Sequence, residues 1–320
     1  MKLFSNIPIP KSNHPIDYHS QIMAFGSCFA ENMGEKFHYY KFQSTTNPFG
    51  ILFHPLAIEK LISFALSEKT FTPKDVLFHN ERWHCFNAHS QMSHPDKEVL
   101  LQNLNEALQI TKQNLTKASH CIITLGTAWV YKHIESNQIV ANCHKVPQKQ
   151  FEKQLLLVSE IEKSLESIVK NIQEVNPNIT FIFTISPVRH LKDGFVENQQ
   201  SKAHLIVALH SFLNKESLQK RDWGEYFSAY EIMMDELRDY RFYADDMIHP
   251  SQLAIDIIWQ KFTEVYFTKA TFEIMSEVKS IQNGLQHKPF NPSSEEHQKF
   301  LKQVNIKIKA LQKKFQHIQF

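Results

Sequence analysis

Short, unbroken apolar runs alternate along this chain with longer stretches whose apolar residues recur every three or four positions. The first run, Gln21-Ile22-Met23-Ala24-Phe25, stops at Gly26 and reads as a buried strand. Phe29, Met33, Phe37 and Tyr40 follow at helical spacing, which predicts a helix over 29–40 with Gly26-Ser27-Cys28 as the turn. Strand, tight turn and helix open an α/β unit. Asn47-Pro48-Phe49-Gly50 marks a turn, and Leu56, Ile58, Leu61, Ile62 and Ala65 predict a second helix over 55–66. Residues 71–97 are rich in His, Asn and aromatics without a period, and read as irregular. A helix over 98–118 leads to a second buried strand, His120 to Leu125, again ending at a glycine, Gly126. A hairpin follows around Trp129-Val130-Tyr131 and Ile139-Val140-Ala141, turning at Glu135-Ser136-Asn137.

Residues 151–175 read as one long amphipathic helix stopped by Asn176-Pro177. The third buried strand spans 179–185 and is closed by Ser186-Pro187. Further helices are expected over 198–220, near 231–237, and from the N-cap Ser251 to about 267, with a short strand or loop at Tyr226-Phe227. Three apolar strands separated by helices predict a mostly parallel sheet covered on both faces. The pattern breaks over 285–294. A capping box, Ser293 with Glu296, then opens a helix toward Phe315 that carries Phe300, Val304, Ile308, Leu311 and Phe315 on one stripe. The expected organisation is an α/β domain over 1–284 and a helical extension over 285–320. The apolar stripe suits docking on the body or on a second subunit of a homo-oligomer.

Composition narrows the partners. The 320 residues carry 35 Lys+Arg against 33 Asp+Glu, which removes any whole-chain argument for nucleic-acid binding. The seven glycines form neither a dinucleotide fingerprint nor a Walker loop, so no cofactor is predicted. The first twenty residues are broken by Pro8, Pro10 and Pro15 and do not read as a signal peptide. No apolar window is long enough for a membrane span. The four cysteines lack a CxxC pair, which fits a cytoplasmic protein with free thiols. His84, Cys85, His89, His94, Cys143 and His144 are metal-ligand types, but their spacing matches no zinc pattern, and no metal is predicted.

Two features carry chemistry. In Phe25-Gly26-Ser27-Cys28-Phe29-Ala30, a nucleophile would sit at the carboxyl edge of the sheet, where open α/β folds bind ligands. It would also sit at a helix N-terminus, which favours a thiolate and offers N–H groups to an oxyanion. Equally, Ser27 reads as a plain N-cap and Cys28 as a small buried hydrophobe. In Asp246-Met247-Ile248-His249-Pro250, the histidine is a candidate base and Asp246 lies close enough in sequence to orient it. Arg189, after the third strand, could clamp a carboxylate or phosphate, or pair with a buried Asp.

The chain resembles the GSCFA-domain proteins, a branch related to the SGNH/GDSL hydrolases. The resemblance covers roughly residues 3–270 and rests on Phe25 to Ala30, Asn47 to Gly50, Thr124-Leu125-Gly126-Thr127-Ala128-Trp129-Val130-Tyr131, Asn142-Cys143-His144-Lys145, Ser186-Pro187-Val188-Arg189-His190 and Asp246 to His249. It implies a flavodoxin-like three-layer α/β fold and an esterase or acyltransferase acting on an acylated small molecule or saccharide. By position, Cys28 takes the nucleophile's place, with Ser27 as the alternative, and Asp246 and His249 match Asp-x-x-His. Gly50 and the Cys28 N–H would hold the oxyanion. The related hydrolases' Gly-x-Asn reads here Gly126-Thr127-Ala128, so a third donor would have to come from Thr127 or Asn47. Asn142, His144 and Arg189 are candidate substrate contacts. A catalytically silent protein that keeps the cleft for a ligand is the alternative.

Overall fold

The computed structural model describes residues 5–215 and 223–320. Its centre is a five-stranded, wholly parallel sheet. The first βα unit pairs β1 (Gln21–Gly26) with α1 (Cys28–Tyr39), and β2 (Gln43–Thr46) and α2 (Pro55–Leu66) follow. A small hairpin, β3 (Leu77–His79) and β4 (Arg82–His84), and the long helix α3 (Lys97–Lys117) lead to β5 (His120–Leu125). An antiparallel excursion, β6 (Trp129–His133), β7 (Gln138–Val140) and β8 (Phe151–Leu155), precedes α4 (Val158–Val175) and β9 (Thr180–Ile185). Helix α5 (Phe195–Leu213) and β10 (Gly224–Phe227) complete the sheet. A short α6 (Ala229–Glu231) runs on as a π-helical turn, Ile232–Glu236, before α7 (Gln252–Tyr266), α8 (Lys269–Gln286) and α9 (Glu295–Lys314).

The sheet order is β10-β9-β5-β1-β2 with every neighbouring pair parallel. Counted as the first to fifth parallel strands, this is the flavodoxin-like order 2-1-3-4-5, whose ligand crevice lies at the switch between the first and third strands. Here those strands are β1 and β5, so the turn carrying Ser27 and Cys28 opens onto the switch point.

The two faces follow from the pleat. Met23 and Phe25 of β1, Cys121, Ile123 and Leu125 of β5, and Phe181, Phe183 and Ile185 of β9 point to one core, covered by α2, α3, α4 and α5. The intervening Ile22, Ala24, Ile122 and Ile182 point to the other, covered by α1, α7, α8 and α9. Burial on both faces explains why these strands are apolar without alternation. In the C-terminal extension, Val304, Leu311, Phe315 and Ile318 are buried in the second core, and Phe315 packs 5.3 Å from the Tyr18 ring. The apolar stripe thus docks on its own chain, while Ile306 remains 66 % exposed.

Several expectations are corrected. Residues 151–155 form β8 on the edge of the antiparallel sheet; only 158–175 is helical. The stretch 71–97 contains the β3–β4 hairpin. The helix expected over 198–220 is Phe195–Leu213, and 216–220 lie outside the described residues. The last helix is capped by Ser294 rather than Ser293. Among the described residues no helix is long and apolar enough to cross a membrane.

Gly26 joins the sheet to the site. Its φ is +143°, and a Cβ there would stand 2.2 Å from the Thr124 carbonyl oxygen of the neighbouring strand. Both the conformation a side-chain-bearing residue would have to strain into and the clash fall at the carboxyl end of a central strand. Gly26→Ala is expected to lower stability by about 3 kcal/mol or more, read as a reduced denaturant midpoint or loss of folded protein.

Candidate functional site

Four connections, those after β1, β2, β5 and β9, meet at the carboxyl edge of the sheet, and backbone hydrogen bonds tie them together. Leu52 N–H donates to Gly26 O at 2.9 Å, and the N–H groups of Gly126 and Thr127 both donate to Phe53 O. Ser27 N–H donates to Thr124 O, and Ser186 N–H to Leu125 O.

Helix α5 anchors two of these loops from below through a buried polar stripe. Asn198 Oδ1 accepts from His190 N–H at 2.9 Å. Ser201 Oγ accepts from Ala128 N–H at 2.7 Å and meets Thr127 Oγ1 at 3.0 Å. The Lys202 ammonium donates to Gly126 O and Ser186 O, each at 2.7 Å, and so clamps the end of β5 to the end of β9. Lys202 is 1 % exposed, and burial pushes its pKa down to about 7, against a smaller upward pull from Cys28. Sequence reading missed this residue. The available signal was its position on the apolar stripe, three and seven residues before Leu205 and Leu209.

The two candidate nucleophiles occupy different environments. Ser27 is fully buried and acts as the N-cap of α1, its Oγ accepting from Phe29 N–H at 3.3 Å. Cys28, the first residue of α1, is partly exposed. The expected acidification of its thiol is not found. Burial and the Glu31 carboxylate raise the thiol pKa more than Lys202 and the N–H groups of Phe29 and Cys28 lower it.

The Asp246–His249 pair forms as expected. Ala244 N–H donates to His249 O, and Tyr243 pairs with Pro250, which shapes the segment into a tight hairpin. Asp246 Oδ2 lies 2.7 Å from His249 Nδ1, while Oδ1 accepts from the N–H groups of Ile248 and His249. The His249 N–H, its ring and the Ile248 N–H together hold the Asp246 carboxyl down at about 2. With Nδ1 facing a carboxylate, Nε2 is the basic nitrogen. Among the described residues no hydrogen bond joins His249 to Cys28. Such contacts are commonly long before substrate binds. His190, also at this edge, is a poor base: burial, then the charges of Lys202 and His249, bring its pKa down to about 3.

The remaining expected contacts divide. The Gly50 N–H is not free for an oxyanion, because it closes the turn onto Asn47 O at 2.8 Å. The Thr127 hydroxyl is engaged with Ser201 and Trp129 N–H. Asn47 differs from both. Its Oδ1 accepts from Gly26 N–H at 2.8 Å, but its buried Nδ2 has no hydrogen bond of good geometry. It lies near enough to Glu31 to favour that carboxyl's ionised form, though burial dominates and raises the Glu31 pKa.

Asn142 and His144 are not at the crevice contacts described above. Asn142 Oδ1 caps His144 N–H, and His144 Nε2 is 2.7 Å from Cys85 O, with its ring 4.7 Å from that of His84. Burial brings His144 down to about 4; the Cys85 carbonyl opposes it, and His84 and His89 add smaller downward pushes. It reads as core packing of the antiparallel layer. Among the described residues no three His, Cys, Asp or Glu side chains converge as a metal-binding group. Arg189 donates to Tyr243 Oη at 2.9 Å, and among the described residues it pairs with no buried Asp.

A sequence model of the GSCFA family matches residues 21–262, and one described as GSCFA domain protein, C-terminal domain, matches residues 278–320. The first covers most of the chain, which therefore belongs to the GSCFA family. No curated protein matches it.

The Lys202 clamp makes a signed prediction. Because its pKa is lowered from about 10.4 in the unfolded chain to about 7 in the fold, the folded state binds fewer protons between these values. This term therefore adds stability as pH rises from about 7 to 10. In Lys202→Met that rise disappears, which the difference between wild-type and variant urea midpoints across this range measures. The same variant is expected to leave the pH midpoint of Cys28 alkylation by iodoacetamide nearly unchanged, because the Lys202 amine is already neutral where the raised thiol titrates.

Proposed function

We propose that this member of the GSCFA family is an SGNH-like acyl-transferring enzyme with Cys28 as nucleophile and His249, oriented by Asp246, as base. The carrying observation is the Asp246–His249 pair, held at 2.7 Å on a hairpin at the same sheet edge as Cys28. Cys28 is preferred over Ser27 because the serine hydroxyl is buried and spent on the helix cap.

On this reading Cys28 Sγ attacks the acyl carbon and its proton passes to His249 Nε2. The tetrahedral intermediate expels the alcohol, which takes that proton back, and leaves a thioester on Cys28. Water or a second alcohol then resolves the thioester, so hydrolysis and acyl transfer share the first half-reaction. The Cys28 N–H, which has no intrahelical acceptor, and Asn47 Nδ2 supply the oxyanion donors. The raised thiol pKa favours proton transfer during attack over a preformed thiolate. The substrate class is an acylated small molecule or saccharide.

A second reading, a silent ligand-binding protein, is favoured by one observation. Ala128 replaces the related hydrolases' Asn and is fully buried, while Gly50 and Thr127 have no donor to spare.

Intact-protein mass after brief exposure to 4-nitrophenyl acetate separates the two. One acetyl adduct is expected in wild type and in Ser27→Ala, and none in Cys28→Ala. Acylation is expected to slow by about a hundredfold or more in His249→Ala and by about a hundredfold in Asn47→Ala. An adduct that survives Cys28→Ala overturns the nucleophile assignment. No adduct in any protein favours the silent binder.

A further inference from the structure

Arg189 is a partly buried cation that has no counter-ion among the described residues. It follows β9 through Ser186-Pro187-Val188, and Val188 is 3 % exposed, which fixes the chain there. The guanidinium lies over the Tyr243 ring, 5.1 Å from its centroid, donates to Tyr243 Oη at 2.9 Å and contacts Met234 Sδ at 3.9 Å. Among the described residues no carboxylate comes within ion-pair distance of it.

The neighbouring carboxylates are accounted for. On the hairpin, Asp246 holds His249. On the turn after Arg189, Asp193 is paired with Lys153 at 2.7 Å and accepts from Tyr131. On α6, Glu231 accepts from Tyr226 Oη. Asp235, next to Met234, and Asp245, two residues after Tyr243, are exposed to solvent. The other cation of this edge, Lys202, is buried and spent on two carbonyls. Arg189 keeps guanidinium donors that no carboxylate among the described residues engages, in a planar fork that matches two oxygens of a carboxylate or phosphate. Its anchor, Tyr243, belongs to the hairpin that carries His249, so a group bound to the fork lies beside the proposed base.

We infer that Arg189 is the anion-recognition residue of this site, and that the substrate carries an oxyanion group, a carboxylate or a phosphate, in addition to its acyl ester. The substrate assignment rests on the acyl-transfer reading; the anion site itself does not.

The test is calorimetric titration with succinate and with inorganic phosphate at constant ionic strength. Wild type, Arg189→Gln, Arg189→Lys and the exposed-charge control Lys192→Gln are compared, each checked for folding by near-ultraviolet circular dichroism. Wild type is expected to bind at least one of the two anions and to show slower Cys28 alkylation by iodoacetamide when it is bound. The tighter anion identifies the group as carboxylate or phosphate. Arg189→Gln is expected to weaken binding by about tenfold or more. Arg189→Lys, which keeps charge without the fork, falls between, and remains informative if the Gln variant does not fold. Lys192→Gln is expected to bind as wild type does. No binding to wild type, an unchanged Kd in Arg189→Gln, or an equal loss in Lys192→Gln overturns the inference. Anion binding without any acetyl adduct at Cys28 would instead fault the acyl-transfer reading and leave the anion site standing.

Discussion

The geometry of the crevice depends on one buried polar stripe. Asn198, Ser201 and Lys202 lie on a face of α5 that continues into Leu205 and Leu209, and the helix turns all of them inward. A lone ammonium in a protein interior is strongly disfavoured unless its donors are satisfied. Here two carbonyls meet it at 2.7 Å, and the Tyr230 ring lies 5.7 Å from Nζ. Those carbonyls belong to Gly126 and Ser186, the first residues beyond two adjacent central strands. Their loops cannot drift apart without stranding a buried cation. The Ser27 Cβ lies only 3.2 Å from where a Gly126 side chain would begin, so the same clamp limits where the Cys28 turn can sit.

Cys28 is held from the opposite side by apolar packing. Helix α1 carries Cys28 at its first position, and Phe29, Met33 and Phe37 below it are buried in the second core. Phe42, Tyr18 and Phe315 complete that packing, with Tyr18 stacked 4.4 Å from Phe42. The crevice therefore has a polar support on the α5 face and an aromatic one on the α1 face. It needs both, because the switch point is where covering elements diverge and leave backbone groups without neighbours.

Much of this was legible. The three buried strands could be read because burial on both faces makes them continuously apolar, and Gly26 and Gly126 mark their ends. The Asp246–His249 pair was legible because a three-residue spacing before a proline leaves few ways to fold the loop. By contrast, β2 reads Gln-Ser-Thr-Thr, half-buried throughout at the sheet edge, and carries no apolar run. Strand β8 was absorbed into the helix after it because Phe151, Leu155 and Leu156 mimic a helical period until backbone pairing with β6 decides otherwise. The functions of Gly50 and Thr127 could not be read at all. Both donors exist in sequence, and only the folded turn shows that Asn47 O and Ser201 have already engaged them.

The same engagement of polar groups extends to Ala128, which places a fully buried methyl group after the third strand and gives its N–H to Ser201. An amide is present instead on the second strand's loop, where Asn47 uses its oxygen to hold Gly26 N–H and leaves its nitrogen unmatched. An unmatched buried donor costs about 1–3 kcal/mol. The Glu31 carboxyl, close enough for the amide to favour its ionised form, offsets part of that cost, and an acceptor on a ligand would offset more. The amide thus stands on the β2 side of the crevice between β1 and β5, fixed by its oxygen to the end of the first strand.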